Sequence, residues 1–90
     1  MDKIFIEKSS EKKLEKLDLN SWPIWEKEVS RFEWYYDEKE TCYILEGNAK
    51  VFPEAGDPVN FAAGDLVVFP AGLCCTWEIT VPIRKRYKIG

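Results

Sequence analysis

The 90-residue chain contains no histidine. Glutamine is also missing, and methionine occurs once. Without an imidazole there is no Ser–His or Cys–His catalytic pair and no histidine metal ligand. The three cysteines, Cys42, Cys74 and Cys75, lack CxxC spacing, and two of them are adjacent. Neither a zinc ribbon nor the disulfide framework of a secreted domain fits this spacing.

Long apolar runs are absent too. The longest, residues 66–71, has the length of a strand, whereas roughly 20 apolar residues are needed to cross a bilayer. The first residues show no signal-peptide pattern, and a net charge of −3 does not provide the basic field that captures nucleic acid or anionic lipid. We therefore expect a cytoplasmic protein whose partners include neither a nucleic acid nor a membrane.

Aromatic residues make up 14% of the sequence, which is high for so short a chain, so we expect them to supply much of the core. Ninety residues form one small domain with no room for a second core. Lysine and glutamate are abundant while thermolabile residues are scarce, a trend of hyperthermophile proteins. This composition predicts a thermophilic source.

Short β-type runs cut by glycine, proline and polar residues fill most of the chain. They cover residues 29–36, 40–45, 50–52, 59–62, 66–69, 74–81 and 83–89. Gly47 and Asn48 predict a tight turn, since both tolerate positive φ, and Pro82 predicts a break. The pattern predicts an all-β sandwich or barrel.

The N-terminal part of the chain has a different pattern, which includes a predicted short helix. Residues 3–7 alternate weakly and predict an edge strand. Residues 11–17 predict one or two turns of helix, with Ser9 or Ser10 as the N-cap.

Two segments carry residues at characteristic spacing. Glu40 and Gly47 stand with six residues between them, and Gly64, Pro70 and Gly72 follow in the pattern G-x5-P-x-G. These spacings resemble the two motifs of the cupin superfamily, whose fold is a double-stranded β-helix or jelly-roll barrel. The chain is similar to the short single-domain cupins grouped with the ureidoglycine aminohydrolase and ethanolamine-utilisation cupins. The resemblance implies one cupin domain over residues 1–90, with a motif-bearing core at about 22–89, and a small polar metabolite as ligand.

The resemblance also locates the metal ligands that cupins usually carry. Counting back from Glu40, the first two histidine positions fall on Trp34 and Tyr36, and the third falls on Cys75. Of the four usual ligands only Glu40 is present. The resemblance therefore implies a cupin barrel that has lost its usual histidine-based metal site.

Alternation along the strands suggests which side chains enter the barrel. A carboxylate inside a barrel is costly unless it is paired, so Glu40 is either a ligand anchor, an acid or base, a metal ligand, or half of an ion pair at the rim. Cys75 is either a soft metal ligand or a small buried residue. Trp34, Tyr36 and Trp77 either stack on a planar or sugar ligand or fill the core.

Lys85 and Tyr87 share one face of the last strand, although the alternation leaves open which face that is. If Lys85 points inward, we expect it to pair with Glu40 in the space that a metal occupies in other cupins. The predicted pocket thus consists of Trp34, Tyr36, Glu40, Cys75, Trp77, Lys85 and Tyr87.

Three functions remain open. The first is the binding of a small polar metabolite in the barrel, without a cofactor. The second is a metal-dependent cupin enzyme, aminohydrolase-like or isomerase-like, in which Glu40 and Cys75, with Tyr36 as a further ligand, hold an unidentified divalent metal. The third is a structural or interaction module whose barrel is filled. A homodimer fits all three, because so small a chain buries only about 60–65% of its unfolded surface.

Overall fold

The computed structural model describes residues 3–8 and 11–90, and strands dominate them. In chain order these are β1 (Phe5–Lys8), β2 (Ile24–Lys27), β3 (Ser30–Tyr35), β4 (Glu40–Pro53), β5 (Val59–Ala62), β6 (Asp65–Phe69) and β7 (Cys74–Ile89). One short helix, α1 (Glu11–Leu17), and a 3-10 turn (Leu19–Ser21) lie between β1 and β2. All strand pairs are antiparallel.

The two long strands, β4 and β7, pair with each other and belong to both faces of the barrel. The first half of β4 pairs with β6, to which β1 is added, whereas its second half pairs with β5. The first half of β7 pairs with β3, and its second half pairs with β2. The result is two facing sheets, β1-β6-β4-β7-β2 and β5-β4-β7-β3, that share bent strands. The predicted all-β jelly roll with a short N-terminal helix is confirmed.

The predicted turn at Gly47 and the predicted break at Pro82 were wrong, because β4 and β7 run through both residues. The β4–β7 register shifts between Ile44 and Ala49, which marks a bend. Gly47 has a φ of +99°, and a Cβ there would lie 2.2 Å from the carbonyl oxygen of Pro82. Glycine is thus needed where the two bent strands cross closely.

The other predicted elements agree with the structure to different degrees. The run at 59–62 coincides with β5, and the edge strand predicted at 3–7 is β1, shifted toward the C-terminus. Strand β2 was not predicted, because only Ile24 and Trp25 separate Pro23 from the polar residues that follow, which is too short a run to show alternation. The N-caps predicted at Ser9 and Ser10 lie outside the described residues.

Most of the barrel interior is apolar and tightly closed. We define the closed core as eight residues, each at most 2% exposed and none of them lining the cavity described below: Cys42, Ile44, Ala49, Val51, Phe61, Val67, Ile79 and Ile83. They come from β4, β5, β6 and β7, so the core joins both sheets. No helix in the described part of the chain is long and apolar enough to span a membrane.

Candidate functional site

A cavity of about 350 Å³ opens at the end of the barrel where β4 begins and β7 ends. Six aromatic side chains, one aliphatic side chain and two charged groups line it: Trp25, Phe32, Trp34, Tyr36, Trp77, Tyr87, Ile89, Glu40 and Lys85. Alternation explains the convergence, since successive inward positions of β3 and β7 lie two residues apart. The cavity therefore forms where the inward-facing residues of several strands meet at one end of the barrel.

The cavity floor holds a buried ion pair. Lys85 Nζ donates a hydrogen bond to Glu40 Oε2 at 2.7 Å, and the two residues are only 5% and 8% exposed. Glu40 is the first residue of β4, and its backbone lies between Phe69 of β6 and Ile89 of β7. The sheet register thus brings a carboxylate and an ammonium together away from water.

Aromatic rings surround the ammonium of Lys85. Its Nζ lies 4.8 Å from the ring centroid of Trp25, 4.9 Å from that of Trp77 and 5.9 Å from that of Phe69. The negative faces of aromatic rings attract a cation within about 6 Å, and more strongly when water is excluded. Rings and carboxylate together therefore offset the cost of removing this ammonium from water.

Two polar groups of the cavity floor have unused hydrogen-bonding capacity. Among residues 3–8 and 11–90, no donor forms a hydrogen bond with Glu40 Oε1. The Tyr36 hydroxyl accepts a hydrogen bond from Trp77 Nε1 at 3.1 Å. Its O–H donates to no acceptor in the part of the chain that the structure describes. Burial, and then the charge of Glu40, raise the pKa of Tyr36 above its ordinary value, so the hydroxyl stays a donor. The cavity therefore offers one open acceptor and one open donor.

The walls of the cavity are held by ring contacts. Phe32 stacks on Trp77 with centroids 6.0 Å apart and planes 11° apart, and Tyr36 stacks on Phe69 at 4.7 Å and 6°. Trp34 stands edge-on to Phe32 and is half exposed at the mouth. The packing of the deeper rings against each other therefore fixes their orientation within the protein.

Cys75 is the one predicted pocket residue that the structure does not bring to this cavity. Its side chain faces inward and is 7% exposed, but its Sγ lies 3.6 Å from the Trp34 carbonyl oxygen and lines a separate open cleft beside Glu54. Alternation fixes the face of a strand residue and not its position along the barrel. Burial raises the pKa of the Cys75 thiol to about 11, so it is a neutral thiol near pH 7.

The side chains at the usual cupin metal position do not fit a divalent ion. Within the described ranges, no three His, Cys, Asp or Glu side chains form a group that could hold one. The retained carboxylate, Glu40, is occupied by an ammonium 2.7 Å away, which repels a second cation. Trp34 and Tyr36 stand in place of two imidazoles. The carboxylate that the motif retains is thus already paired with Lys85.

The other six predicted pocket residues, Trp34, Tyr36, Glu40, Trp77, Lys85 and Tyr87, all line the cavity. The sequence reasoning missed three lining residues, Trp25, Phe32 and Ile89. Parity could have identified Phe32 from Trp34, and Ile89 from Tyr87. Nothing in the sequence indicated Trp25, which lies on the strand that was not predicted.

Two sheets that share bent strands, with a cavity at one end, define a cupin barrel. The family model of the EutQ-like cupin domain matches residues 14–87, and the chain belongs to this family. The predicted similarity to short cupins of the ethanolamine-utilisation group is confirmed.

Solved structures agree with this assignment. The chain is 51% identical to a DUF861 family protein from Thermotoga maritima, with a TM-score of 0.96 over 98% of this chain and 100% of that one. It is 21% identical to the EutQ protein of Clostridium difficile, with a TM-score of 0.67 over 73% of this chain and 52% of that one.

A more remote likeness is to oxalate decarboxylase from Bacillus subtilis, at 20% identity, a TM-score of 0.53, and 93% and 24% coverage. The chain thus spans about half of the EutQ protein and a quarter of the decarboxylase, and at these identities the likeness shows the fold alone. No curated protein matches the chain.

Proposed function

We propose that this protein binds a small polar metabolite in the aromatic cavity, without a histidine-held metal. The observation that carries the proposal is the buried pair of Glu40 and Lys85 at the cavity floor. Small-molecule sites are typically apolar clefts of roughly 300–1,000 Å³ in which a few polar groups fix the orientation of the ligand. The cavity, at about 350 Å³, has this size and this composition.

The cavity argues against a filled barrel. A structural module would have its interior packed beside Glu40, as it is packed around the closed core. Here Trp25 and Phe32 instead line open space. Such a surface gains free energy when a flat apolar body covers it.

The geometry gives no support to a metal-dependent enzyme built on Glu40, Cys75 and Tyr36. Cys75 lines a different cleft, and the Tyr36 hydroxyl already accepts a hydrogen bond from Trp77. A neutral thiol and a neutral phenol are poor ligands for a divalent ion, since both must first lose a proton. Metabolite binding needs none of these deprotonations.

A binding experiment tests the proposal. Phenol, benzamide, benzoate and benzamidine are titrated against protein dialysed exhaustively with a chelator, and binding is followed by saturation-transfer NMR. We expect at least one probe to bind saturably. Failure of all four, or binding that appears only after a divalent metal is added back, would contradict the proposal.

A matched pair of variants checks that the probe enters the cavity. Ile89→Trp places a large ring at the cavity mouth, whereas Val81→Trp places the same ring on the same strand away from the cavity. The two positions are similarly exposed, at 48% and 51%, so both should accept tryptophan with little strain. Ile89→Trp should abolish probe binding and Val81→Trp should preserve it; equal binding by both variants counts against the cavity.

A further inference from the structure

We infer that the cavity selects a neutral, flat ligand that carries a hydrogen-bond donor beside an acceptor, as a primary amide does, over anions and cations of the same shape. The inference rests on the proposed function and adds the chemical class of the ligand. It follows from the charge balance of the cavity floor and from the two hydrogen-bonding groups left open there.

The charge balance comes first. Glu40 and Lys85 are the charged residues that line the cavity, and their charges cancel. An anionic ligand would add a second negative charge beside Glu40, and a cationic ligand would add a second positive charge beside Lys85. In a water-excluded site such like-charge contacts are poorly screened. A neutral ligand leaves the balance intact.

The ammonium of Lys85 has no empty place for a ligand anion. The ammonium of Lys85 is engaged by Glu40 and faced by the rings of Trp25 and Trp77. A ligand carboxylate would have to displace Glu40 from Lys85, which would leave a buried carboxylate without its partner and is strongly unfavourable. A ligand cation could reach the open Glu40 Oε1, but it would then meet the positive charge of Lys85 on the same carboxylate.

The open hydrogen-bonding groups then specify the ligand. Glu40 Oε1 can accept an N–H, and the Tyr36 hydroxyl can donate its proton to a carbonyl oxygen. An amide group supplies both partners, and both buried groups become satisfied. A zwitterion fits less well, because its carboxylate would meet a neutral phenol and not a cation.

The walls require a flat body behind this polar group. Phe32 and Trp77 are stacked, and Trp25 meets Trp77 edge-to-face with centroids 6.0 Å apart. Aromatic side chains held in this way favour an aromatic or other flat apolar ligand that can pack against the exposed parts of the rings. A single aromatic ring bearing an amide would therefore pack against the aromatic walls and form hydrogen bonds with the polar groups of the cavity floor.

Three molecules of nearly one shape test the inference: benzamide is neutral, benzoate is anionic and benzamidine is cationic at pH 7.5. Their dissociation constants for the wild-type protein are measured by saturation-transfer NMR or calorimetry. We expect benzamide to bind at least about tenfold more tightly than either charged isostere. Benzoate or benzamidine binding as tightly as benzamide overturns the inference and leaves the proposed function standing. Binding by none of the three overturns the inference, and the proposed function falls as well if phenol also fails.

Charge variants sharpen the test. Glu40→Gln leaves the floor with one positive charge, so the preference should move toward benzoate; Lys85→Met leaves one negative charge, so it should move toward benzamidine. The control is Glu78→Gln, which removes the carboxylate of the exposed pair with Arg31 and should leave the ranking unchanged. A folded Glu40→Gln or Lys85→Met protein that keeps the wild-type ranking would overturn the inference. If neither variant folds, the wild-type ranking decides alone.

Discussion

The closed core and the cavity floor lie in one barrel, yet they bury different chemistry. The closed core contains no charged side chain, and residues such as Ile44, Val67 and Ile83 are almost wholly removed from water. The cavity floor buries Glu40 and Lys85 with almost no exposure, beside open space. The same sheets therefore contain one region that buries only apolar surface and another that buries charged groups, whose removal from water costs free energy.

This difference indicates that the ion pair is not explained by the stability of the fold. A buried ion pair is weak evidence for stability, because well-packed apolar residues of similar size stabilise a fold as well or better. The closed core shows that this chain can fill its interior with such residues. The proposed function accounts for the pair at the cavity floor, because the pair would orient a ligand there, and three predictions test the contrast, from the largest expected effect to the smallest.

The largest effect is expected from breaking the pair at the cavity floor. Glu40→Gln or Lys85→Met alone should lower the free energy of unfolding by about 3–5 kcal/mol, because each leaves an uncompensated buried polar or charged group. The double variant with methionine at both positions should be neutral or more stable than the wild type. Denaturant unfolding measures all three. As a control, Glu78→Gln breaks the exposed pair with Arg31 and should cost less than about 1 kcal/mol. A double variant as unstable as the singles would mean that the pair is a stabilising element.

A smaller difference is expected between the two ends of the barrel. Ile44→Ala in the closed core should cost about 2–5 kcal/mol, since a fully buried side chain is replaced by a cavity. Ile89→Ala at the cavity mouth should change the free energy of unfolding by less than about 0.5–1 kcal/mol, because half of that side chain is already in water. Equal losses in thermal or denaturant unfolding would show that the cavity mouth is packed as tightly as the core.

The same contrast explains what could be predicted from the sequence. The spacing of Glu40 from Gly47, and of Gly64 from Pro70, resembles that of the two cupin motifs, so it identified the fold. The bends at Gly47 and Pro82 were misread, because glycine and proline give the same local signal for a strand bend as for a turn.

Only the part of the site that follows from the alternation of strand residues could be predicted from the sequence. Alternation found Trp34 when counted from Tyr36 and Trp77 when counted from Cys75, and the pairing of Lys85 with Glu40 was available as a hypothesis about charge. The position of Cys75 along the barrel depends on the sheet register, and Trp25 enters through a strand with no sequence signal. Both are properties of the assembled sheets, which no local pattern contains.

The smallest predicted effect concerns Cys42, a closed-core thiol close enough to Lys85 and Glu40 to feel their charges. Burial is the main cause that raises its pKa from 9.0 to about 12. The folded state thus holds the thiol proton more tightly than the unfolded state does. The resulting stability is complete below about pH 9 and is lost as the pH rises toward 12.

The stability that wild-type protein has over Cys42→Ala should therefore shrink as the pH rises from 9 to 12, as measured by denaturant unfolding at several pH values. Cys75→Ala serves as the comparison, because the pKa of that thiol is raised only to about 11 and its stability difference should fade earlier. A difference for Cys42→Ala that stays constant across this range would show that the closed core accommodates a thiolate. The sign of the expected change follows from the contrast between the two regions: the carboxylate of Glu40 is buried beside an ammonium, whereas a thiolate at Cys42 would have no hydrogen-bonded cation of its own.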